Sequence, residues 1–220
     1  MRYVFFCITL FYYCSSLPAI AQVSPEERAA LVSFYHGTNG SKWYSSQNWL
    51  EGDPCEDEWK GIFCNDAKNK VTGISLIQNN LSGSLPKEIG ILSNLTLLQL
   101  TGNRIGGIIP KEIGRLGSLK IIDLVFNRLI GSIPDELWRL PALSEVYLGG
   151  NGLSGSIPYE IIYTLDKLGL TYNCNLYSQD PAVQQFIVDK DHTIDSYEAF
   201  LNTQGRSCPI YPIITIYLLN

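Results

Sequence analysis

The chain has 220 residues and a formal net charge of −5, and 45% of its residues are hydrophobic while 17% are charged. The apolar fraction excludes a disordered chain, and the acidic balance argues against a nucleic-acid-binding protein, which needs a basic face. Beyond the N-terminus, no run reaches the roughly 18 apolar residues of a membrane-spanning helix. The length of the chain favours one domain with a sizeable core.

The first 21 residues have the parts of a secretory signal peptide. Arg2 supplies the positive charge, Tyr3–Leu17 the apolar region, and Ala19-Ile20-Ala21 the cleavage pattern. We therefore expect residues 1–21 to be removed and the mature chain to begin at Gln22 in the extracellular space. An uncleaved signal anchor is the alternative.

Cleavage would leave four of the six cysteines, which are Cys55, Cys64, Cys174 and Cys208. An even number of cysteines in a secreted chain implies disulfides. Three pairings are possible, and the arrangement of two cysteines near each end favours Cys55–Cys64 and Cys174–Cys208. None belongs to a C-x-x-C pair, so we predict no zinc site, no other metal site and no cofactor.

Residues 22–70 are predicted to form an N-terminal cap. Ser24-Pro25-Glu26-Glu27 is a capping box with proline at the first helical position, and a helical apolar face follows. The loop after the helix contains three tryptophans and the predicted Cys55–Cys64 disulfide. The acidic residues of this loop are expected to be solvated rather than to bind calcium: Glu51, Asp53, Glu56, Asp57 and Glu58.

The middle of the chain, residues 71–173, is a repeat of about five strands. Asparagines stand at a constant step of 24 in Asn79, Asn103, Asn127 and Asn151, and a shorter fifth unit ends at Asn173. Such a period is typical of a solenoid, in which each unit buries its apolar side against its neighbours. We expect the asparagine side chains to satisfy buried backbone groups as a continuous ladder.

Each unit combines a strand with a short helical segment. Leu98–Leu100, Ile122–Leu124 and Val146–Leu148 alternate apolar and exposed positions, as half-buried strands do. Pro86, Pro110 and Pro134 are expected at the first position of the helical segments, with glutamate in the first turn.

The C-terminal part is predicted to be a second cap over residues 174–208. Asp180-Pro181 begins one helix, and a second short helix covers about Asp195–Leu201. The apolar tail, residues 209–220, is too short to span a bilayer, and we assign it no role.

The sequence predicts no catalytic site. It contains two histidines, of which His36 lies in the cap helix and is expected to be a partly buried structural residue, while His192 lies in the C-terminal cap. No G-x-S-x-G, P-loop or G-x-G-x-x-G motif is present. Three N-x-S/T sequons mark candidate glycosylation sites at Asn39, Asn80 and Asn94.

The repeats resemble the plant-type leucine-rich repeat, LxxLxxLxLxxNxLxGxIP. Leu95–Asn103 fits the strand half of this pattern closely, and the tryptophan-rich segment from Ala30 to Thr72 is similar to the N-terminal cap of the same family. The resemblance implies an α/β repeat fold, a right-handed solenoid shaped as a short horseshoe, with a parallel concave sheet and helical caps at both ends. It also implies roles in receptor ectodomains and in secreted inhibitors of cell-wall-degrading enzymes.

The concave positions lie between and after the strand leucines. The candidate ligand-binding residues there are Leu97, Gln99, Thr101, Ile121, Asp123, Val125, Phe126, Glu145, Tyr147 and Tyr172. The six apolar and aromatic members are predicted to form one patch, because exposed patches of this kind often mark interaction surfaces.

We expect a secreted, non-enzymatic recognition protein that binds an extracellular protein or polysaccharide through this face. The alternatives are an inhibitor of a secreted cell-wall-degrading hydrolase and an ectodomain fragment of a cell-surface receptor.

Overall fold

A computed structural model of the protein describes residues 22–191 and 193–204, without the side chain of Ile162. The predicted signal peptide, His192, Cys208 and the apolar tail lie outside the described residues.

The elements alternate regularly along the described chain. The strands are β1 (Ile62–Cys64), β2 (Val71–Ser75), β3 (Ser82–Ser84), β4 (Leu97–Gln99), β5 (Arg104–Gly107), β6 (Ile121–Asp123), β7 (Arg128–Ser132), β8 (Glu145–Tyr147), β9 (Gly152–Ser156), β10 (Lys167–Gly169) and β11 (Asn175–Tyr177). The α-helices are α1 (Pro25–Gly37), α2 (Asp135–Trp138), α3 (Pro181–Lys190) and α4 (Tyr197–Thr203). Short 3-10 helices cover Gly40–Lys42, Lys87–Ile91, Lys111–Arg115 and Tyr159–Tyr163.

The concave sheet has the strand order β1-β2-β4-β6-β8-β10 in the described residues. The strands of the repeats pair in parallel, with Leu97 opposite Ile121 and Ile121 opposite Glu145. One strand departs from the predicted parallel sheet, because β1 from the N-terminal cap pairs antiparallel with β2. The solenoid with its parallel concave sheet and capped ends is confirmed.

A second sheet, with the order β11-β9-β7-β5-β3, lies on another side of each unit and was not predicted. Its strands β5, β7 and β9 begin directly after the ladder asparagine and contain the glycine of the N-x-L-x-G motif. Gly131 has φ of +79°, and a Cβ atom there would lie 3.1 Å from Cγ2 of Ile108 in the preceding unit. Glycine is therefore required both for the backbone conformation and for the close approach of neighbouring units.

The helical segments are mostly 3-10 helices. Pro86, Pro110 and Pro134 precede them in extended conformation, so each proline is the N-cap residue rather than the first helical residue that was predicted. The segments pack closely, since a Cβ atom on Gly90 would meet the Glu112 carbonyl oxygen at 2.3 Å.

The asparagines of the repeat form hydrogen bonds within and between units. The Asn127 Nδ2 donates to the carbonyls of Leu100 (3.0 Å) and Leu124 (3.1 Å), and its Oδ1 accepts from the Ile105 N–H (3.0 Å). Asn103 and Asn151 repeat this pattern. Asn79 instead binds both backbone groups of Ser45, which joins the ladder to the N-terminal cap.

The N-terminal cap is attached to the first repeat by a buried carboxylate. The Ser24 side chain caps α1 as predicted, by accepting from the Glu27 N–H. The Glu27 carboxylate accepts from the Val71 N–H (3.1 Å) and lies 3.5 Å from Lys70 Nζ. Glu27 thus belongs to the junction between α1 and β2.

The predicted Cys55–Cys64 disulfide is confirmed. Cys174 is also disulfide-bonded, and the predicted Cys174–Cys208 pairing includes a residue outside the described part of the chain. In the C-terminal cap, Asp180 caps α3 as predicted, whereas the last helix begins at Tyr197, two residues later than the predicted Asp195.

Two predictions about the N-terminal cap are wrong. Asp53 is buried rather than solvated, because its carboxylate accepts from the N–H groups of Val23, Cys55 and Glu56. His36 is exposed rather than partly buried, because it occupies the last turn of α1 beside the ring of Tyr35.

Candidate ligand-binding face

Strand pairing aligns the candidate residues in columns across the concave sheet. One column contains Gly73, Leu97, Ile121, Glu145 and Lys167, and another contains Ser75, Gln99, Asp123, Tyr147 and Gly169. Side chains at alternate strand positions share a face, so both columns face the same side of the sheet. The strand leucines and isoleucines between them are buried.

Four of the six apolar candidates line a cavity at the C-terminal end of this face. Val125, Phe126, Tyr147 and Tyr172 line a space of about 370 Å³ together with Gly149, Gly150, Gly169, Lys167, Leu168, Thr171, Lys190, Asp191 and Thr193. Leu97 and Ile121 are opposite each other on β4 and β6 and do not line the cavity. The cavity has the size of a small ligand site.

Glu145, Tyr147 and Lys167 form a hydrogen-bonded triad, of which Tyr147 and Lys167 line the cavity. The Lys167 Nζ is 3.0 Å from Glu145 Oε1, and the Tyr147 hydroxyl donates to Glu145 Oε2 at 3.0 Å. The hydrogen bond from Lys167 holds the pKa of Glu145 below its usual value, with a further contribution from Tyr147 and against the opposing effect of burial. Burial is the largest cause that raises the pKa of Tyr147 to about 12, and the hydrogen bond to the Glu145 carboxylate is the second. The hydroxyl is therefore protonated at neutral pH and donates a hydrogen bond.

Two aromatic residues of the cavity have left-handed backbone conformations. The residues that precede the ladder asparagines all have positive φ: Gln78, Gly102, Phe126, Gly150 and Tyr172. Glycine occupies two of these positions without strain, but Phe126 (φ 52°) and Tyr172 (φ 61°) are bulky residues in a conformation that disfavours them. Phe126 is 63% exposed, and Tyr172 is 42% exposed.

The candidate glycosylation sites differ in their hydrogen bonds. The Asn39 amide donates to Ser82 Oγ at 3.1 Å, and the Asn80 amide donates to the Lys42 carbonyl at 2.6 Å. The Asn94 amide has only a 3.4 Å contact to its neighbour Ser93. A glycan would therefore disturb the fewest contacts at Asn94.

Sequence reasoning missed the contribution of the C-terminal cap to this face. Lys190 is the last residue of α3 and Asp191 follows it, and both reach the cavity because α3 packs against β10. Gly149, Gly150 and Gly169 also line the cavity. In the column of Gln99, Asp123 and Tyr147, Gly169 has no side chain, and this difference is the sequence signal that could have indicated a cavity.

Stacked units with buried asparagines, a parallel concave sheet and caps at both ends define a leucine-rich repeat solenoid. A profile of the leucine-rich repeat matches residues 93–153, and one of the leucine-rich repeat N-terminal domain matches residues 24–65. These two matches confirm the predicted resemblance to plant-type leucine-rich repeat proteins with an N-terminal cap domain.

Curated proteins similar to this chain include plant receptor kinases. The LRR receptor-like serine/threonine-protein kinase FEI 2 of Arabidopsis thaliana is 35% identical over 96 residues, which are 42% of this chain and 16% of FEI 2. Across the curated relatives that it matches, the chain spans 6–16% of their length.

Solved plant ectodomains share the fold. One is the LRR ectodomain of the receptor kinase GASSHO1/SCHENGEN3 from A. thaliana, solved in complex with CASPARIAN STRIP INTEGRITY FACTOR 2. It matches with a TM-score of 0.63 and 28% identity, over 68% of this chain and 18% of that one. A chain of the BIR3–SERK2 complex from A. thaliana matches with a TM-score of 0.59 and 26% identity, over 73% of this chain and 90% of that one. Among the described residues, no helix is long and apolar enough to cross a membrane.

Proposed function

We propose that this protein is an extracellular, non-enzymatic recognition module that binds a peptide or a segment of a protein on its concave face. The observation that carries the proposal is the group of exposed or half-buried apolar and aromatic side chains on a rigid sheet, above all Phe126, Tyr147 and Tyr172. Aromatic side chains are the commonest energetic centres of interfaces. A preformed sheet also keeps the ordering cost of binding low.

The matched ectodomains support this reading over a polysaccharide or a hydrolase as the ligand. The solved GASSHO1/SCHENGEN3 ectodomain, which has the same fold, is in complex with CASPARIAN STRIP INTEGRITY FACTOR 2. The Cys55–Cys64 disulfide supports an oxidising, extracellular location.

A second candidate function is pairing with another leucine-rich repeat ectodomain. The match to a chain of the BIR3–SERK2 complex covers 90% of that chain, so a solenoid of similar extent occurs in an assembly of this kind. In this case the protein would act as a receptor ectodomain or as a fragment of one.

Affinity capture tests the proposal. The purified full chain is immobilised, exposed to extracellular fluid of the source tissue, and the retained molecules are identified by mass spectrometry. We expect a peptide or protein that the double variant Phe126→Ala, Tyr147→Ala no longer retains. Tyr44→Ala is the matched control, because Tyr44 is an exposed aromatic residue of the N-terminal cap. Equal retention by a folded double variant would contradict the proposal, and retention of a repeat ectodomain would favour the second candidate.

A further inference from the structure

The three N-x-S/T sequons lie in two different parts of the fold. Asn39 follows α1 and Asn80 precedes β3, so both belong to the junction between the N-terminal cap and the first repeat. Asn94 instead lies between the 3-10 helix Lys87–Ile91 and β4, on the flank where the chain enters the concave sheet. The three asparagines therefore have different surroundings, although their sequons are alike.

Asn39 and Asn80 belong to one hydrogen-bonded group at the junction. The Asn39 amide donates to Ser82 Oγ at 3.1 Å, and Ser82 is the hydroxyl residue of the Asn80 sequon. The Asn80 amide donates to the Lys42 carbonyl at 2.6 Å, and Asn80 Oδ1 accepts from Arg104 at 2.9 Å. The two sequons thus share Ser82, and both amides already bind across the junction.

Little space remains around this junction. A Cβ atom on Gly83 would lie 2.3 Å from the Gly37 carbonyl oxygen and 3.3 Å from Asn39 Nδ2. A Cβ atom on Gly37 would in turn meet the Ser84 carbonyl oxygen at 3.1 Å. Because even one added carbon is crowded here, a sugar on either amide would compete with the hydrogen bonds that join the cap to the first repeat.

The surroundings of Asn94 are open. In the described part of the chain, the Asn94 amide nitrogen forms only a 3.4 Å hydrogen bond to the exposed Ser93. In the next unit, Gly117 and Ser118 occupy the corresponding positions, and a Cβ atom on Gly117 would have nothing within 4 Å. The unit after that has Ala142 at the position of Asn94. Small side chains therefore leave room beside Asn94 for a bulky group.

We propose that Asn94 carries an N-linked glycan in the secreted protein, and that Asn39 and Asn80 are unmodified. The donor is an oligosaccharide on a lipid pyrophosphate of the secretory pathway. The Asn94 Nδ2 forms a bond to C1 of the first sugar, the bond between C1 and the pyrophosphate oxygen breaks, and the amide nitrogen loses one proton. The inference rests on the extracellular location in the proposed function and adds a modification site to it.

The position of Asn94 separates the glycan from the proposed ligand site. Asn94 precedes β4, whereas Phe126 and Tyr172 follow the ends of β6 and β10 and line the cavity. A glycan is bulky and hydrated, so it would cover the flank formed by Ser93, Gly117 and Ser118. A partner would then have access to the cavity but not to this flank.

Mass spectrometry of the full chain, secreted from plant cells, tests the assignment. Trypsin separates the three sequons into the peptides 29–42, 71–87 and 88–104. A peptide N-glycosidase in H₂¹⁸O converts each glycosylated asparagine to aspartate that contains ¹⁸O. We expect the label in peptide 88–104 and none in the other two.

Variants distinguish the modified asparagine from the two structural ones. Asn94→Gln should remove the glycan and the associated mass, whereas Asn39→Gln and Asn80→Gln should retain it. Thr96→Val should remove the glycan without a change of Asn94, and Thr96→Ser should keep it. Asn80→Ala should lower the urea midpoint, because Arg104 and the Lys42 carbonyl lose their partner. Asn94→Gln should leave ligand capture unchanged.

Three results would overturn the inference: no glycan on Asn94 of the secreted protein, a glycan on Asn39 or Asn80, or an unchanged mass in Asn94→Gln. If Asn94 is unmodified while capture still requires Phe126 and Tyr147, the inference fails and the proposed function stands. If Asn94 is glycosylated while capture is independent of these two residues, the inference stands and the proposed function fails.

Discussion

Phe126 combines a proposed role in ligand binding with an unfavourable backbone conformation. Its ring covers Gly150, yet its φ of 52° is unfavourable for a bulky residue. We expect Phe126→Gly to leave the free energy of unfolding within about 1 kcal/mol of wild type, because relief of strain offsets the lost contact. The same change should remove ligand binding. Urea unfolding and capture measure the two effects separately, and a loss of stability with intact binding would contradict the assignment.

Asn127 has the opposite character, because its side chain serves only the fold. Asn127→Ala would leave the Ile105 N–H and the carbonyls of Leu100 and Leu124 without their side-chain partner in the core. We expect a loss of about 3 kcal/mol in the free energy of unfolding, measured by urea denaturation. Asn175→Ala, at an exposed position of β11, is the control and should change little. Equal effects of the two changes would show that the ladder contributes no special stability.

The triad of Glu145, Tyr147 and Lys167 predicts a pH dependence. The lowered pKa of Glu145 contributes stability above its ordinary value of 4.5, and this is lost as the pH falls through the folded-state pKa. The raised pKa of Tyr147 contributes stability below pH 10, which is lost as the pH rises to about 12. In Lys167→Gln, we expect the Glu145 pKa to rise towards 4.5 in a ¹³C carboxyl titration. An unchanged titration would show that Lys167 does not determine it.

At the scale of elements, the junction of α1 with β2 depends on Glu27. Glu27→Ala would deprive the buried Val71 N–H of its acceptor and Lys70 of its partner. We expect a loss of about 2 kcal/mol in the free energy of unfolding, and faster amide exchange at Val71 than elsewhere in the concave sheet. The neighbouring exposed Glu26 provides the control, and Glu26→Ala should have a much smaller effect. Similar losses in both variants would contradict a specific role of Glu27.

The repeat itself could be predicted from the sequence because its period fixes both the strands and the ladder. The second sheet could not, because segments such as Ser82-Gly83-Ser84 lack the β-branched and aromatic residues that indicate strands. They become strands only because the neighbouring units offer backbone partners at the required distance. The same reasoning explains Asp53, whose burial depends on the N–H group of Val23, thirty positions earlier.

The sequence predicts which candidate residues share the concave face, but it does not predict the cavity that they line. The repeat period places Tyr147 and Phe126 on one face from sequence alone. The cavity also requires Lys190, which lies on the helix that follows the repeats, and its position depends on how the C-terminal cap packs. Tertiary packing of non-repeating segments is the information that periodicity does not contain.

Over the whole molecule, caps close both ends of the solenoid, and the residues that the structure describes leave one face open. The N-terminal cap and the C-terminal helices cover the apolar ends of the stack, and in residues 22–191 and 193–204 no further element covers the concave sheet. This arrangement separates the residues that maintain the fold, such as the buried asparagines, from the concave residues that we propose to face a ligand.

Hydrogen exchange of the full chain with its captured ligand tests whether the ligand binds on the concave face. We predict protection of amides in β6, β8, β10 and the turns that contain Phe126 and Tyr172, and no change in the second sheet. Protection of β5, β7 and β9, with unchanged exchange across the concave sheet, would contradict it.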